Sequence, residues 1–573
     1  MYSILLISCL GVLAYSNSLH CSFHFDDAPA ITDNVAIRNI HDLRGIWNVW
    51  PCRFLTFFSF AFNYHFYQLN VFGYHLFNLL IHIISSILLW WLVYLTFSTP
   101  AMKEKQIARH AGLLSLFSGM IFVSHPIQTQ AVTFIWQRAA SMASMFYLAS
   151  LCFYVKSRLV ENCRPASNQG NIYYIFSLMA GIMAMFTKEI VITLPLMVVL
   201  YEASFLKTTK SLDWKKIVPF LLLLLVIPIT WLLSGSEKIL APRSATSNSP
   251  LQYLLTEFRA MWTYIRLAFL PFHQNLDYDY PLSKSIFEAS TLFSFLSLPL
   301  VLAAARRMFS TCRLVSFGIF WFFLTLLPES SLFPLADVVF EHRLYLPMAG
   351  FSIFLVSSVY YFWGEKNIKM MVMALTIIVA CNSILTYQRN KIWKDDITLW
   401  SDVVQKSPHK TRGFNNLGVE HIHRGEIIQA ISDFNHAIDV DPGYASAYNN
   451  RAGIYDKWGN FTQSLADYNT AIKIAPRYAE AYYNRGTTYA ERGLFTQAMS
   501  DYNKAIDIDP HYAHAYNNRG FIYNRWGNLK QAVSDFNKAI EINPYYTDAY
   551  KNRDNTLKEG AAYSRSLKNK SLF

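Results

Sequence analysis

Apolar runs at 2–19, 75–97, 111–124, 131–155, 172–186, 189–206, 217–234, 289–304, 314–328, 344–363 and 368–387 dominate the first 390 positions of this chain. About 20 such residues cross the hydrocarbon core of a bilayer as a helix. In lipid the backbone must satisfy its own hydrogen bonds, which restricts each run to helix. The eleven runs therefore predict an all-α, polytopic membrane helix bundle. The first, "MYSILLISCLGVLAYSNSLH", has no basic leader and no small-residue cleavage site, and reads as a retained span. Charged residues make up only 15% of the chain, against about 25% in ordinary soluble domains.

Charge alternates between the loops. Lys103, Lys105 and Arg109, then Lys156, Arg158 and Arg164, then Lys207, Lys210, Lys215 and Lys216, then Arg306, Arg307 and Arg313, then Lys366 and Lys369 fall on one side. The positive-inside rule makes that side cytoplasmic. Less basic loops, at 20–74, 125–130, 187–188, 235–288 and 329–343, fall on the other. Segment 254–272 is apolar but contains Glu257, Arg259 and Arg266, and reads as an amphipathic helix in the interface. Most of the net charge of +12 belongs to this pattern, because residues 401–573 hold 21 basic against 18 acidic side chains. No basic stripe with interleaved aromatics points to nucleic acid. The seven cysteines form no C-x-x-C pair; Cys21 and Cys52, in one external loop, leave a disulfide open.

The unusual polar groups gather on the non-cytoplasmic face. "FHFDDAPAITDN" puts Asp26 and Asp27 in the first external loop, and "SHPIQTQAV" puts His125, Gln128 and Gln130 in the next. "FTKEI" adds Lys188 and Glu189, "FEHRLYLP" adds Glu341, His342 and Arg343, and Arg138 lies about two turns into the fourth run. Ionisable groups at membrane depth cost several kcal/mol unless paired, so they tend to mark a cavity. Arg138, Lys188 and Arg343 are the candidates for holding a phosphate. Asp26 or Asp27 is the candidate base for a hydroxyl, with His125, Gln130, Glu189, Glu341 and His342 around them. Each also has a plain structural reading, such as a snorkelling cation, a helix cap or a satisfied carbonyl. Two adjacent carboxylates suit a hard cation, which leaves a divalent metal open.

The motifs quoted above, with "HPIQTQAVTFIWQRAASMASMFYLASLCFY", "TKEIVITLPLMVVLYE" and "RNKIWKDDITLW" in order before a repeat region, resemble the transmembrane and tetratricopeptide-repeat (TMTC-like) protein family. The resemblance implies a GT-C-type inverting glycosyltransferase. Such an enzyme moves a sugar, typically mannose, from a polyprenyl- or dolichyl-phosphate donor to protein Ser or Thr hydroxyls. It maps the family's acidic pair onto Asp26 and Asp27, its His-Pro onto His125 and Pro126, and its Arg-Ala onto Arg138. Its Lys-Glu maps onto Lys188 and Glu189, and its Arg-Leu-Tyr-Leu-Pro onto Arg343 onward. Gln130 stands where relatives often carry Glu.

Proline recurs at 408, 442, 476, 510 and 544, with Gly425, Gly459, Gly493 and Gly527 and Ala437, Ala471, Ala505 and Ala539 on the same 34-residue period. That is the tetratricopeptide pattern of stacked helical hairpins. The expected layout is a membrane domain over 1–390, a linker over 391–408, a solenoid over 409–558 and a disordered tail over 559–573. Asn416, Asn450, Asn484, Asn518 and Asn552 hold one slot of the repeat. A side-chain amide matches a peptide unit in donor and acceptor, which makes them candidates for gripping an acceptor polypeptide; satisfying turns between helices is the plainer reading. Span parity places the repeats on the face of Asp26 and Asp27. In a bacterium this is the periplasmic side of the inner membrane, in a eukaryote the lumen of the endoplasmic reticulum. The competing expectation is a non-catalytic membrane-anchored scaffold.

Overall fold

A computed structural model describes residues 2–163, 168–207, 212–234, 249–330, 334–335 and 337–570, with side chains to residue 562. Two of the loop cations, Arg164 and Lys210, lie outside the described residues. Every regular element among the described residues is helical, and the chain divides into two compact units, Met1–Lys406 and Ser407–Phe573.

In the first unit a helix occupies each of the eleven apolar runs. Seven are long and apolar enough to cross a membrane: Val71–Thr96, Gln106–Ser124, Ile135–Cys163, Glu189–Leu206, Trp214–Leu233, Ala289–Met308 and Ile368–Trp393. Tyr2–Tyr15 and Arg313–Leu326 are shorter apolar helices, and Gln169–Met185 and Pro347–Val359 fill the remaining two runs. Small residues let some of these backbones touch. A Cβ on Gly318 would lie 2.6 Å from the carbonyl oxygen of Gly350, and one on Gly350 would lie 2.7 Å from that of Gly318. Only glycine fits at such a crossing.

Three parts of this unit depart from the expectation. The first external loop is structured, with helices at Leu43–Val49 and Phe54–Tyr67. The aromatic content of "FLTFFSFAFNY" explains the second, since its Phe57 and Phe60 bury against Tyr74 and Ile135. The helix Pro250–Phe269 covers the interfacial segment, but its Glu257 is fully buried, because Arg343 supplies a partner. The expected linker is part of the fold. A turn at Lys391–Trp393 and a helix at Asp396–Lys406 bury Trp393, Leu399, Trp400 and Val403.

The second unit contains four helical hairpins, beginning Thr411–His423 with Ile427–Val440 and ending Ala513–Arg525 with Leu529–Ile542. The repeat glycines close each hairpin with φ of +75° to +76°, the left-handed conformation that side-chain-bearing residues resist. Ala430, Ala437, Ala471, Ala498, Ala505, Ala532 and Ala539 are fully buried at the crossings. The final helix runs Thr547–Lys570, through most of the segment expected as a disordered tail; no proline or turn-forming pair interrupts it.

An Arg–Asp staple recurs inside the hairpins. Arg485 donates from Nε and Nη2 to Asp501 at 2.8 and 2.7 Å and from Nη1 to Asn469. Arg451 with Asp467 and Arg519 with Asp535 repeat the geometry one period away on either side. Both partners are mostly buried, so removing one strands the other. We expect Asp501→Ala to cost about 3 kcal/mol and to split the single melting transition of the repeats, read by circular dichroism. A melt indistinguishable from wild type would refute a structural role for the staple.

Candidate functional site

The acidic pair is divided by its own loop. Asp27 is fully buried, and its two oxygens accept from the backbone amides of His24, at 2.8 Å, and Trp136, at 2.6 Å. Burial pushes its carboxyl up to about 7, although both amides and the His24 charge oppose the rise. Asp26 lines a cavity of about 470 Å³ together with Pro29, Ala30, Val49, Trp50, Arg53, Phe57 and Trp136. The two carboxylates therefore differ in setting, and the charge of Asp26 adds to the rise at Asp27. Among the described residues no three His, Cys, Asp or Glu side chains group in a way that could hold a metal ion.

Asp27 is thus a strut for the cavity wall, and Asp26 is the acid inside it. The strut continues outward. His24 Nδ1 lies 2.6 Å from Asp396 Oδ1, and Nε2 lies 2.7 Å from the carbonyl oxygen of Trp393. A carbonyl and a carboxylate both accept, so both ring nitrogens must donate and the ring is an imidazolium. Burial lowers its pKa, but the bond and charge of Asp396, aided by Asp27, more than offset this, and the net shift is upward. Asp27 and Asp396 face the ring, and His75 lies within electrostatic reach. A raised folded pKa gives stability that is complete below the unfolded value of about 6.5. That stability is lost as pH rises through the folded value, and the upward shift of Asp27 carries the same sign. We expect His24→Gln to melt lower than wild type at pH 6, by about 1–3 kcal/mol, and the gap to narrow as pH rises through the raised folded value. A gap that does not change with pH would rule out the imidazolium.

Arg53 was not legible as a site residue. Glu189, a sequence candidate, fixes it: Nε lies 3.2 Å from both carboxylate oxygens and Nη2 lies 2.9 Å from Oε2. The guanidinium carbon sits 4.1 Å from the Trp50 ring centroid and 5.8 Å from that of Trp136.

The three cations expected to hold a phosphate are engaged within the protein. Arg138 is completely buried, and its guanidinium donates to Asn63 and Asn78 at 2.6 Å, to Ser59 at 3.2 Å and to the carbonyl oxygen of Tyr74 at 3.0 Å. It ties Phe54–Tyr67 to Val71–Thr96 and is not among the residues lining the cavity. Lys188 pairs with Glu329 at 2.9 Å. Arg343 pairs with Glu257 at 3.4 Å and donates to the carbonyl oxygens of Val338 and Asp337. In each case burial forces a cation to find a partner, and the carboxylate or amide partners lie far away in sequence.

The remaining pocket candidates fall into two groups. His125 donates from Nε2 to the carbonyl oxygen of Ala268 and accepts the Ile127 amide at Nδ1, so it caps a turn. Glu341 is buried and accepts from the Asn275 amide, Gln274 and the Tyr278 hydroxyl. Gln130 accepts the His342 amide at 2.6 Å. Gln130 Nε2 and His342 Nδ1 are buried with no hydrogen-bond partner among the described residues. Burial, then the charges of Lys188, Arg343 and Arg53, pull the His342 ring well below its ordinary pKa, so these groups share one electrostatic neighbourhood.

In the repeats, the asparagine slot bonds to the protein itself. Asn450 donates to Asn415 and Asn484 to Asn449 at 3.0 Å, Asn518 to the Tyr483 hydroxyl at 3.2 Å, and Asn552 to Asn517 at 2.9 Å. The preceding Asn then donates to its neighbour, as from Asn415 to Asn416. The ladder is a latch between successive repeats. Asn450 and Asn484 still edge a cavity of about 480 Å³ with Tyr468, Tyr483, Thr487 and Thr488.

An integral-membrane helix bundle carrying a tetratricopeptide solenoid is thereby defined. Tetratricopeptide-repeat models match residues 479–512 and 513–546, and a further one matches 454–493. The chain is similar to protein O-mannosyl-transferase Tmtc3 of Drosophila melanogaster, at 24% identity over 77% of this chain and 55% of the relative. It is similar at 25% to F38B6.6 of Caenorhabditis elegans, over 77% and 63%, and to human TMTC3, over 78% and 52%. It spans between half and two thirds of the length of these curated relatives. Among solved structures, a crystal structure of MamA aligns at 27% identity over 26% of this chain and 85% of that one, with a TM-score of 0.23.

Proposed function

We propose that the chain is a membrane glycosyltransferase that moves mannose from a polyprenyl-phosphate donor to Ser or Thr hydroxyls of polypeptides bound by the repeats. The observation carrying this reading is one cavity whose lining includes Asp26, Arg53, Trp50 and Trp136. The relatives, named protein O-mannosyl-transferases, support it. In this reading the acceptor oxygen attacks the anomeric carbon, its proton passes to Asp26, and the bond from that carbon to the phosphate oxygen breaks. Polyprenyl phosphate leaves, and the anomeric configuration inverts. Tryptophan faces suit the apolar face of a sugar ring, and a guanidinium suits the charge left on the phosphate. Asp26 and the repeats face one compartment, the periplasm if the host is a bacterium.

The test is purified protein with polyprenyl-phosphate mannose and a Ser/Thr-rich peptide, followed by mass spectrometry. A hexose added by wild type and lost in Asp26→Asn supports the reading. Peptide binding without transfer would leave a scaffold in its place.

A further inference from the structure

Arg53 is held on two sides. Glu189 takes its Nε and Nη2 edge, and Trp50 lies against its face at 4.1 Å. Nη1 has no acceptor among the described residues, while the side chain is only 15% exposed and lines the Asp26 cavity. A guanidinium fixed along one edge and open on the other is preorganised to receive an oxyanion. The three cations singled out from the sequence as phosphate candidates are already engaged. Lys188 has Glu329, Arg343 has Glu257 and two carbonyls, and Arg138 is sealed among asparagines.

We propose that Arg53 is the residue that holds the donor phosphate, with Nη1 donating to a phosphate oxygen while Trp50 and Trp136 wall the sugar. This inference rests on the lipid-phosphate donor of the reading above. A cavity of about 470 Å³ is within the roughly 300–1,000 Å³ of small-ligand sites. The geometry also gives Glu189 its role: it is a positioning residue that orients the fork and does not itself touch the donor.

The experiment uses the full chain in lipid nanodiscs and two probes, sugar-free polyprenyl phosphate and polyprenyl-phosphate mannose. Arg53→Gln is expected to weaken binding of both by about 10-fold or more, as befits the loss of a charge-assisted hydrogen bond. It raises KM more than it lowers kcat, while Asp26→Asn retains binding of both lipids. In the wild-type protein, polyprenyl phosphate is expected to shield Arg53 from phenylglyoxal, mapped by mass spectrometry, which needs no variant to fold. Arg53 labelled equally with and without the lipid, or wild-type binding by Arg53→Gln, overturns the proposal. If wild type binds polyprenyl phosphate but transfers no sugar, the enzyme reading falls and the Arg53 assignment stands on shielding alone.

Discussion

Asp26→Asn should abolish sugar transfer, by about 100- to 10,000-fold in kcat, and leave the melting temperature unchanged. Asp27→Asn should lower the melting temperature. Asp27 accepts two backbone amides in a fully buried position, and an amide nitrogen turned toward either one would oppose donor to donor. Loss of such a bond in the interior costs about 1–3 kcal/mol, and the loop that carries Asp26 would loosen with it. The two single variants, compared by transfer assay and thermal melt, separate base from strut. If Asp27→Asn loses transfer while melting normally and Asp26→Asn keeps it, the assignment is inverted and the cavity is not the reaction centre.

Arg138→Leu should strongly destabilise the first unit. Its guanidinium satisfies the Asn63, Asn78, Ser59 and Tyr74 oxygens in a region closed to water, and removing one partner of a buried charged network costs about 3–5 kcal/mol. Against a total stability of about 5–15 kcal/mol, the folded fraction should drop enough to see in yield and in size-exclusion profile. Arg138→Lys keeps the charge but loses the fork that reaches two helices at once, and should rescue only in part. A normally folded Arg138→Leu with weakened donor binding would return this residue to the phosphate.

The architecture was readable because lipid and repetition both act through period. Apolar length predicted a helix at each of the eleven runs, and the 34-residue spacing predicted the hairpins. Site chemistry was less readable, because it depends on pairings between distant residues. Arg53 needed Glu189, Lys188 needed Glu329 and Arg343 needed Glu257; nothing local announces such partners. Arg138 was singled out for its cost in a membrane, a cost met by Asn63 and Asn78 on neighbouring helices. The staple was within reach: Arg451, Arg485 and Arg519 and Asp467, Asp501 and Asp535 keep the same 34-residue spacing as the prolines.

The amide latch changes what the solenoid can do mechanically. Bonds that cross from each repeat to the next tie the turns of a spring, so the curvature of the groove is set before any ligand arrives. In the proposed reading, an acceptor segment threading it conforms to that curvature, and discrimination passes to the side chains of Tyr468, Tyr483, Thr487 and Thr488 that line its cavity.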